Sequence, residues 1–96
     1  MNISTVSASS IPSEGTVVIK FGASWCNPCK MLTKILENKA YSIPTYAVDV
    51  DSEKEFTQKF GVRNIPTLVM LNNGVEVKRE VGLPATNKLE TFFREQ

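Results

Sequence analysis

The spacing of apolar residues changes several times along the chain and predicts a series of short elements. Residues 16–21 are β-branched or apolar on both faces apart from Lys20, which is typical of a central strand. From Pro28 the apolar residues recur at helical spacing, so a helix is predicted there. Pro44 opens a second strand with alternating apolar residues, and the apolar run at residues 67–71 predicts another central strand.

Between these last two strands the pattern predicts a short second helix. Ser52 followed by Glu55 resembles a capping box at the start of this helix. Phe56 and Phe60 are four residues apart and give it a buried side. Gly61 then follows as a stop signal.

The last third of the chain predicts a hairpin and a final helix. Asn73-Gly74 is a strong turn signal. The strand after it is expected to be half-exposed, with alternating valines at Val75, Val77 and Val81. A helix is predicted over residues 86–95, and its inward side consists of Leu89, Phe92 and Phe93. Ahead of the first strand, residues 3–6 are a candidate short strand and residues 9–15 a loop.

From residue 16 the predicted order is strand, helix, strand, helix, strand, strand, helix. The first unit requires a parallel, right-handed crossover, and the last two strands form an antiparallel hairpin. The predicted fold class is therefore α/β, with a mixed sheet of four to five strands and about three helices in a single domain over residues 1–96. Ligand sites in such sheets lie beyond the carboxyl ends of the strands, which is where Cys26 falls.

Composition and charge exclude several classes of function. The chain has 96 residues and a formal net charge of +1, with its basic residues scattered, so neither nucleic acid nor a membrane surface is an expected partner. No apolar run is long enough for a signal peptide or a membrane span. We therefore expect a cytoplasmic protein. A structural disulfide is rare in that compartment, so two neighbouring cysteines are more often catalytic or metal-binding.

The only two cysteines, Cys26 and Cys29, lie where the first strand gives way to the first helix. This placement predicts thiol–disulfide chemistry, because a helix N-terminus stabilises a thiolate. Cys26, nearer the terminus, is predicted to be the attacking thiolate. Cys29, one turn into the helix, is predicted to be buried and to resolve the mixed disulfide. Pro28 restricts the loop and fits the first helical turn.

The alternative for the two cysteines is half of a zinc site. A tetrahedral zinc requires about four ligands, and the chain has no histidine and no third cysteine. We therefore predict no metal site.

Taken together, these residues resemble the thioredoxin family over roughly residues 16–95. The most specific part of the resemblance is the string Trp25-Cys26-Asn27-Pro28-Cys29-Lys30, followed downstream by Ile65-Pro66-Thr67. The other matching strings are Phe21-Gly22-Ala23-Ser24, Val48-Asp49-Val50-Asp51, Asn73-Gly74 and Val81-Gly82. The resemblance implies a thioredoxin-like fold and a redox-active disulfide between Cys26 and Cys29.

The resemblance also implies a substrate-binding surface. In this family the proline equivalent to Pro66 is cis and packs beside the cysteines, although X–Pro bonds in general are cis in only about 5% of folded cases. Ile65 would then offer its backbone to an extended substrate, while Pro66 keeps the site open. An apolar lip around Cys26 is expected from Trp25, Ile65, Gly82 and Leu83. The alternative for Trp25 is a packed aromatic residue, but its place directly before Cys26 favours the surface.

Two positions depart from the family pattern. Thioredoxins usually carry a buried aspartate six residues before the first cysteine and a lysine near it, and these positions are Lys20 and Ala47 here. A protonated Lys20 would stabilise a thiolate and make the pair more oxidising. A neutral Lys20 would instead accept the proton of Cys29. The third possibility is that Lys20 extends to the sheet edge and does neither.

A third departure lies between the cysteines, where the family usually has Gly and this chain has Asn27. Asn27 is assigned to the substrate-binding surface, and residues at this position also tune the reduction potential. Disulfide oxidoreductases of this fold span about −270 to −120 mV. The N-terminus is shorter than the family's, so the first helix of a full-length thioredoxin is expected to be missing or reduced to a turn.

The function implied is a cytoplasmic thiol–disulfide oxidoreductase that reduces protein disulfides and maintains redox homeostasis. The resemblance implies disulfide-containing protein substrates, a monomer with no bound cofactor, and an NADPH-dependent thioredoxin reductase as electron donor. One alternative is a glutaredoxin-like reductase recharged by glutathione, although glutaredoxins generally lack the preceding tryptophan and the Ile65-Pro66-Thr67 string. Another is an accessory binding subunit whose cysteines are dispensable.

Overall fold

The computed structural model describes residues 3–94. Within this range, four strands and three α-helices follow each other in the predicted order. They are β1 (Thr16–Gly22), α1 (Asn27–Glu37), β2 (Thr45–Asp49), α2 (Lys54–Lys59), β3 (Thr67–Asn72), β4 (Val75–Val81) and α3 (Thr86–Phe93). The final helix was predicted to reach Glu95, which lies outside the described residues. In the structure α3 ends at Phe93.

The strands form one mixed sheet in the order β2-β1-β3-β4. β1 is central and pairs in parallel with β2 and antiparallel with β3, while β3 and β4 form the antiparallel hairpin. In this register Lys20 lies opposite Ala47 on one side and Leu68 on the other. The four-stranded arrangement with its parallel crossover confirms the predicted α/β fold.

The segment before β1 adds little regular structure. Thr5 forms an isolated parallel bridge with Ala47 at the outer edge of β2, so the candidate strand at residues 3–6 is reduced to one bridge. The expected N-terminal helix is reduced to the single 3-10 turn Ala8–Ser10, as predicted.

The helices cover the two faces of the sheet and enclose one core cluster on each. On one face, α1 and α3 pack over side chains of β1 and β3; the buried members are Val18, Leu32, Leu36, Ile43, Leu68, Met70, Leu89, Phe92 and Phe93. On the other face, α2 packs through Phe56 and Phe60 over Val17, Ile19, Phe21, Val48, Val69 and Leu71. The alternation along β1 therefore points Lys20 and Gly22 toward α1.

The start of α2 differs from the prediction. Glu53 is the N-cap residue and its side chain makes no capping hydrogen bond. Ser52 instead donates to the carbonyl of Asp49 at 3.5 Å, so the predicted capping box with Glu55 is wrong. The predicted stop is confirmed, because Gly61 has a φ of +63°. In the part of the chain that the structure describes, no helix is long and apolar enough to span a membrane.

The hairpin between β3 and β4 turns at Asn73 and Gly74, with φ of 51° and 82°. Two positive φ values in a two-residue loop are typical of the turn that matches the twist of a hairpin. A register shift between Met70 and Leu71 then disturbs the alternation along β4. The three valines therefore do not form a single half-exposed face; Val75, Val77 and Val81 are all exposed.

Candidate active site

The two cysteines lie where the chain leaves the carboxyl end of β1 and enters α1. After Gly22 the backbone turns, and the Cys26 amide donates to the carbonyl of Ala23 at 3.2 Å. Cys26 is the N-cap residue of α1, and Pro28 lies in the first helical turn. Pro28 fits there because the first amides of a helix have no partner within the helix.

Cys26 and Cys29 are joined by a disulfide with their Cα atoms 5.3 Å apart. Both cysteines are buried, with 6% of Cys26 and 2% of Cys29 exposed, so the predicted burial of Cys29 is confirmed. The Cys29 amide donates to the Cys26 sulfur at 3.3 Å. After reduction the same amide and the positive end of α1 would stabilise a thiolate at Cys26.

Beside Cys26, the Trp25 indole is 66% exposed, which agrees with the surface placement and not with a packed aromatic residue. Its Nε1 donates to a carboxylate oxygen of Asp51 at 2.8 Å. Sequence reasoning gave Asp51 no role. The only signal was its membership of the string Val48-Asp49-Val50-Asp51, because the bond joins residues 26 positions apart.

Other residues predicted for the substrate surface lie around this indole. Trp25 and Ile65 line the same cavity, with a volume of about 330 Å³. The Ile65–Pro66 peptide bond is cis, and the carbonyl of Pro66 accepts a hydrogen bond from the Gly82 amide at 2.8 Å. Leu83, directly after Gly82, is an exposed apolar residue. Asn27 is also exposed, at the first position of α1. Their roles in binding stay predictions.

Lys20 lies beneath the disulfide and is only 5% exposed. Which of its three possible roles applies stays a prediction. It lines a cavity of about 210 Å³ together with Gly22, Cys29 and Ala47. A Cβ atom added at Gly22 would lie 3.1 Å from Lys20 Nζ and 3.2 Å from Cys29 Sγ. The Lys20 amine and the Cys29 sulfur therefore border the same point. Burial lowers the pKa of Lys20 below its ordinary value of 10.5.

Gly22 was not singled out from the sequence as a site residue. Its lack of a side chain leaves open the space that Lys20 Nζ and Cys29 Sγ border. The available signal was a glycine at the end of an otherwise bulky central strand, which often marks a close approach of another group.

The alternative interpretation of the cysteine pair was half of a zinc site. Within residues 3–94 there is no group of three or more His, Cys, Asp or Glu side chains placed to hold a metal ion. The site combines a cysteine pair, a buried amine and an exposed apolar rim.

Comparison with known proteins supplies the family context. Residues 4–95 match the family model for thioredoxin. A thioredoxin of Chlamydia muridarum is 44% identical over 78 residues, which are 78% of this chain and 76% of that protein. A thioredoxin of Bacillus subtilis is 38% identical over 82 residues, covering 81% and 79% of the two chains.

Solved structures agree with these matches. The thioredoxin of Malassezia sympodialis superposes with a TM-score of 0.80 at 30% identity, covering 95% of this chain and 86% of that one. The thioredoxin of Fasciola hepatica gives a TM-score of 0.76 at 33% identity, covering 88% and 85%. The similarity therefore extends over the whole sheet and its helices.

Proposed function

Because the chain belongs to the thioredoxin family and is a thiol–disulfide oxidoreductase, we propose that it reduces disulfide bonds of other proteins. The observation that carries this proposal is the position of Cys26. Its sulfur accepts a hydrogen bond from the Cys29 amide at the positive end of α1, directly beside the exposed indole of Trp25. A nucleophilic sulfur next to an apolar contact surface fits the attack on a disulfide carried by a polypeptide.

The reaction proceeds in two exchanges. In the first, the Cys26 thiolate attacks one sulfur of the substrate disulfide, so a Cys26–substrate bond forms and the other substrate sulfur leaves as a thiolate. In the second, the Cys29 sulfur attacks Cys26, the bond to the substrate breaks, and its remaining sulfur leaves with the electron pair. The substrate gains two electrons and two protons, and the protein is left with the Cys26–Cys29 disulfide.

The substrate segment is proposed to bind across Trp25 and Ile65. The backbone N–H and C=O of Ile65 make no hydrogen bond with any of residues 3–94, so both are available to an extended peptide. The cavity that Trp25 and Ile65 share is rimmed by Lys54 and Arg63. Apolar contacts on Trp25 and backbone pairing at Ile65 would hold the scissile disulfide over Cys26.

The resulting disulfide has to be reduced again for a further turnover. Thioredoxins as a family are reduced by thioredoxin reductase, and we extend this to the present chain with NADPH as the source of electrons. The exchange itself uses only the two sulfurs and protons, so no bound cofactor is needed. We propose that the protein works as a monomer in the cytoplasm.

Two single substitutions test the proposed function. Cys29→Ser is expected to hold a disulfide-bonded test protein such as insulin as a covalent mixed disulfide, because the first exchange proceeds and the second cannot. Cys26→Ser is expected to form no such adduct with the same protein. Mass spectrometry of the non-reduced mixture gives both results. Equal adduct formation by the two variants would overturn the assignment of Cys26 as the attacking thiol.

The double variant Cys26→Ser/Cys29→Ser distinguishes an oxidoreductase from an accessory subunit. With dithiothreitol as the electron donor, we expect the double variant to show no catalysis of insulin reduction. To separate the glutaredoxin-like alternative, the wild-type disulfide is offered either glutathione or a thioredoxin reductase with NADPH. Faster reduction by glutathione would contradict the proposed electron donor.

A further inference from the structure

Lys20 is a buried amine for which the two exchanges above give no role. It lies on the central strand β1, and its Nζ and the Cys29 sulfur both border the space above Gly22. Lys20 Nζ lies 3.1 Å and Cys29 Sγ 3.2 Å from the point that a Cβ atom at Gly22 would occupy. The nitrogen and the sulfur are therefore no further apart than these two distances combined. Within such a distance the charge on one group affects the proton affinity of the other.

No other described group compensates the charge of Lys20. Its ammonium makes no hydrogen bond or ion pair with any of residues 3–94. The titratable groups that line the same cavity are Cys29 and Lys30 from α1 and Asp49 from the end of β2. Lys30 is exposed, and one oxygen of Asp49 already accepts the Asp51 amide at 2.8 Å. Cys29 is therefore the buried group that Lys20 can exchange a proton with.

We propose that Lys20 accepts the proton of the Cys29 thiol as Cys29 attacks Cys26. This inference rests on the proposed function, because it assigns a residue to its second exchange. The Cys29 S–H bond breaks and the amine becomes an ammonium. The new thiolate forms the bond to Cys26, and the substrate sulfur leaves with the electron pair. The ammonium then returns its proton to solvent in the cavity of about 210 Å³.

Two physical features support this role. Burial already lowers the pKa of Lys20, which makes a neutral amine accessible at a milder pH than for an exposed lysine. Gly22 and Ala47 leave room around Nζ, so the amine can remain near the sulfur while it exchanges its proton. A lysine with these properties is suited to work as a base.

The test follows two successive releases from an aromatic disulfide probe, 5,5′-dithiobis(2-nitrobenzoate). Attack of Cys26 on the probe disulfide releases the first coloured thiolate. Attack of Cys29 on Cys26 then releases the second. Lys20→Met is expected to slow the second release at neutral pH by about tenfold or more. The deficit is expected to shrink as the pH rises, since the thiol then ionises without a base. Lys30→Met, in the same cavity, is the matched control and is expected to keep the wild-type pH profile.

A second measurement does not depend on the Met variant. The Lys20 Cε resonance is titrated by NMR in the oxidised protein and in reduced Cys26→Ser, which isolates the Cys29 thiol. We expect a higher pKa for Lys20 in the reduced variant than in the oxidised protein, because the Cys29 thiolate stabilises the ammonium. Identical Lys20 titrations, or a second release unaffected by Lys20→Met at every pH, would overturn the inference. Failure of wild-type protein to release either thiolate would instead contradict the proposed function.

Discussion

The indole Nε1 of Trp25 donates to the carboxylate of Asp51 at 2.8 Å and thereby fixes the orientation of the most exposed large apolar side chain beside Cys26. An exposed ring without this bond would be free to adopt other rotamers. A substrate would then have to order the ring as it binds, at a cost in conformational entropy. With substrates bound across Trp25 as proposed, Asp51 would act on their affinity through the indole.

This relationship gives the first prediction. Asp51→Ala is expected to raise KM for a protein disulfide by roughly three- to tenfold with little change in kcat, because one hydrogen bond to a charged group is lost. Asp51→Asn keeps an acceptor oxygen and is expected to lie closer to wild type. Steady-state insulin reduction supplies both constants. A fall in kcat with unchanged KM would contradict the argument.

The second prediction concerns the cost of burying Lys20. Lys20→Met is expected to stabilise the oxidised protein at neutral pH by about 1–3 kcal/mol, because it removes a buried amine whose charged form has no described ion-pair partner. Urea unfolding at constant pH measures the difference. The control is Lys30→Met on the exposed side of α1, for which a change within about 0.5 kcal/mol is expected. A less stable Lys20→Met variant would show that the amine has a compensating partner.

The same substitution has a defined pH dependence. Since the folded state lowers the pKa of Lys20 below 10.5, the folded protein binds fewer protons than the unfolded chain in the interval below that value. The free energy of unfolding of the wild-type protein therefore increases as the pH rises toward 10.5, through the titration of Lys20. The part of the stability difference between Lys20→Met and wild type that comes from ionisation should shrink accordingly and vanish above about pH 10.5.

A third prediction concerns the reduction potential. In the reduced protein, the ammonium formed when Lys20 takes up the Cys29 proton stabilises the thiolate and thus the reduced form, so Lys20→Met is expected to be more reducing than wild type. A change of about 30 mV corresponds to about 1.4 kcal/mol for this two-electron couple. Equilibration with defined thiol buffers, read by Trp25 fluorescence, gives both potentials. A higher potential in the Met variant would require the opposite charge effect.

The alkaline stability of the protein is predicted to depend on Tyr41. Its hydroxyl donates to Glu90 at 3.0 Å, and burial together with this carboxylate raises its pKa to about 12. A pKa raised above the ordinary 10.0 contributes stability below pH 10 that is lost as the pH rises to about 12.

Tyr41→Phe tests this dependence because it keeps the ring that stacks on Phe93 at 4.2 Å. Denaturant unfolding is compared between the two proteins across that pH range. The stability difference between wild type and Tyr41→Phe should fall with rising pH. A difference that stays constant would mean that Glu90 does not affect the phenol.

The fifth prediction concerns the turn between β3 and β4. Gly74 has a φ of +82°, so Gly74→Ala is expected to cost about 1–2 kcal/mol even though an added Cβ would meet only Ser13 O at 3.7 Å. Gly74→Asn is the matched control and should cost less, because Asn tolerates this conformation. Thermal unfolding measures the order of stability, which is expected to fall from wild type to Gly74→Asn to Gly74→Ala. Disulfide reductase activity should stay unchanged, since the turn lies at the opposite end of the sheet from Cys26.

The sequence was sufficient for those features that depend on local chemistry. The Asn73-Gly74 turn, the helix start at the cysteines and the stop at Gly61 follow from residue types that favour one backbone conformation. The two-sided strand β1 followed from its continuous apolar run. Agreement between these signals made the α/β order predictable.

Features that depend on distant residues could not be predicted in the same way. Whether Lys20 is buried depends on the space left by Gly22 and Ala47, and Ala47 comes from another strand. The orientation of Trp25 depends on a partner 26 positions away. The failed capping box near Ser52 shows the same limit, because the backbone after β2 directs its hydroxyl to Asp49 instead.

Each edge of the sheet has a feature that hinders pairing with another chain. Along β2, Ala47 exchanges backbone hydrogen bonds with Ser4 and Val6, so its polar groups are already occupied. Along β4, the register shift disturbs the strand, and Lys78 and Arg79 add charge to it. An extended chain that meets the protein therefore finds little regular backbone at either edge to pair with, which disfavours growth of the sheet into aggregates.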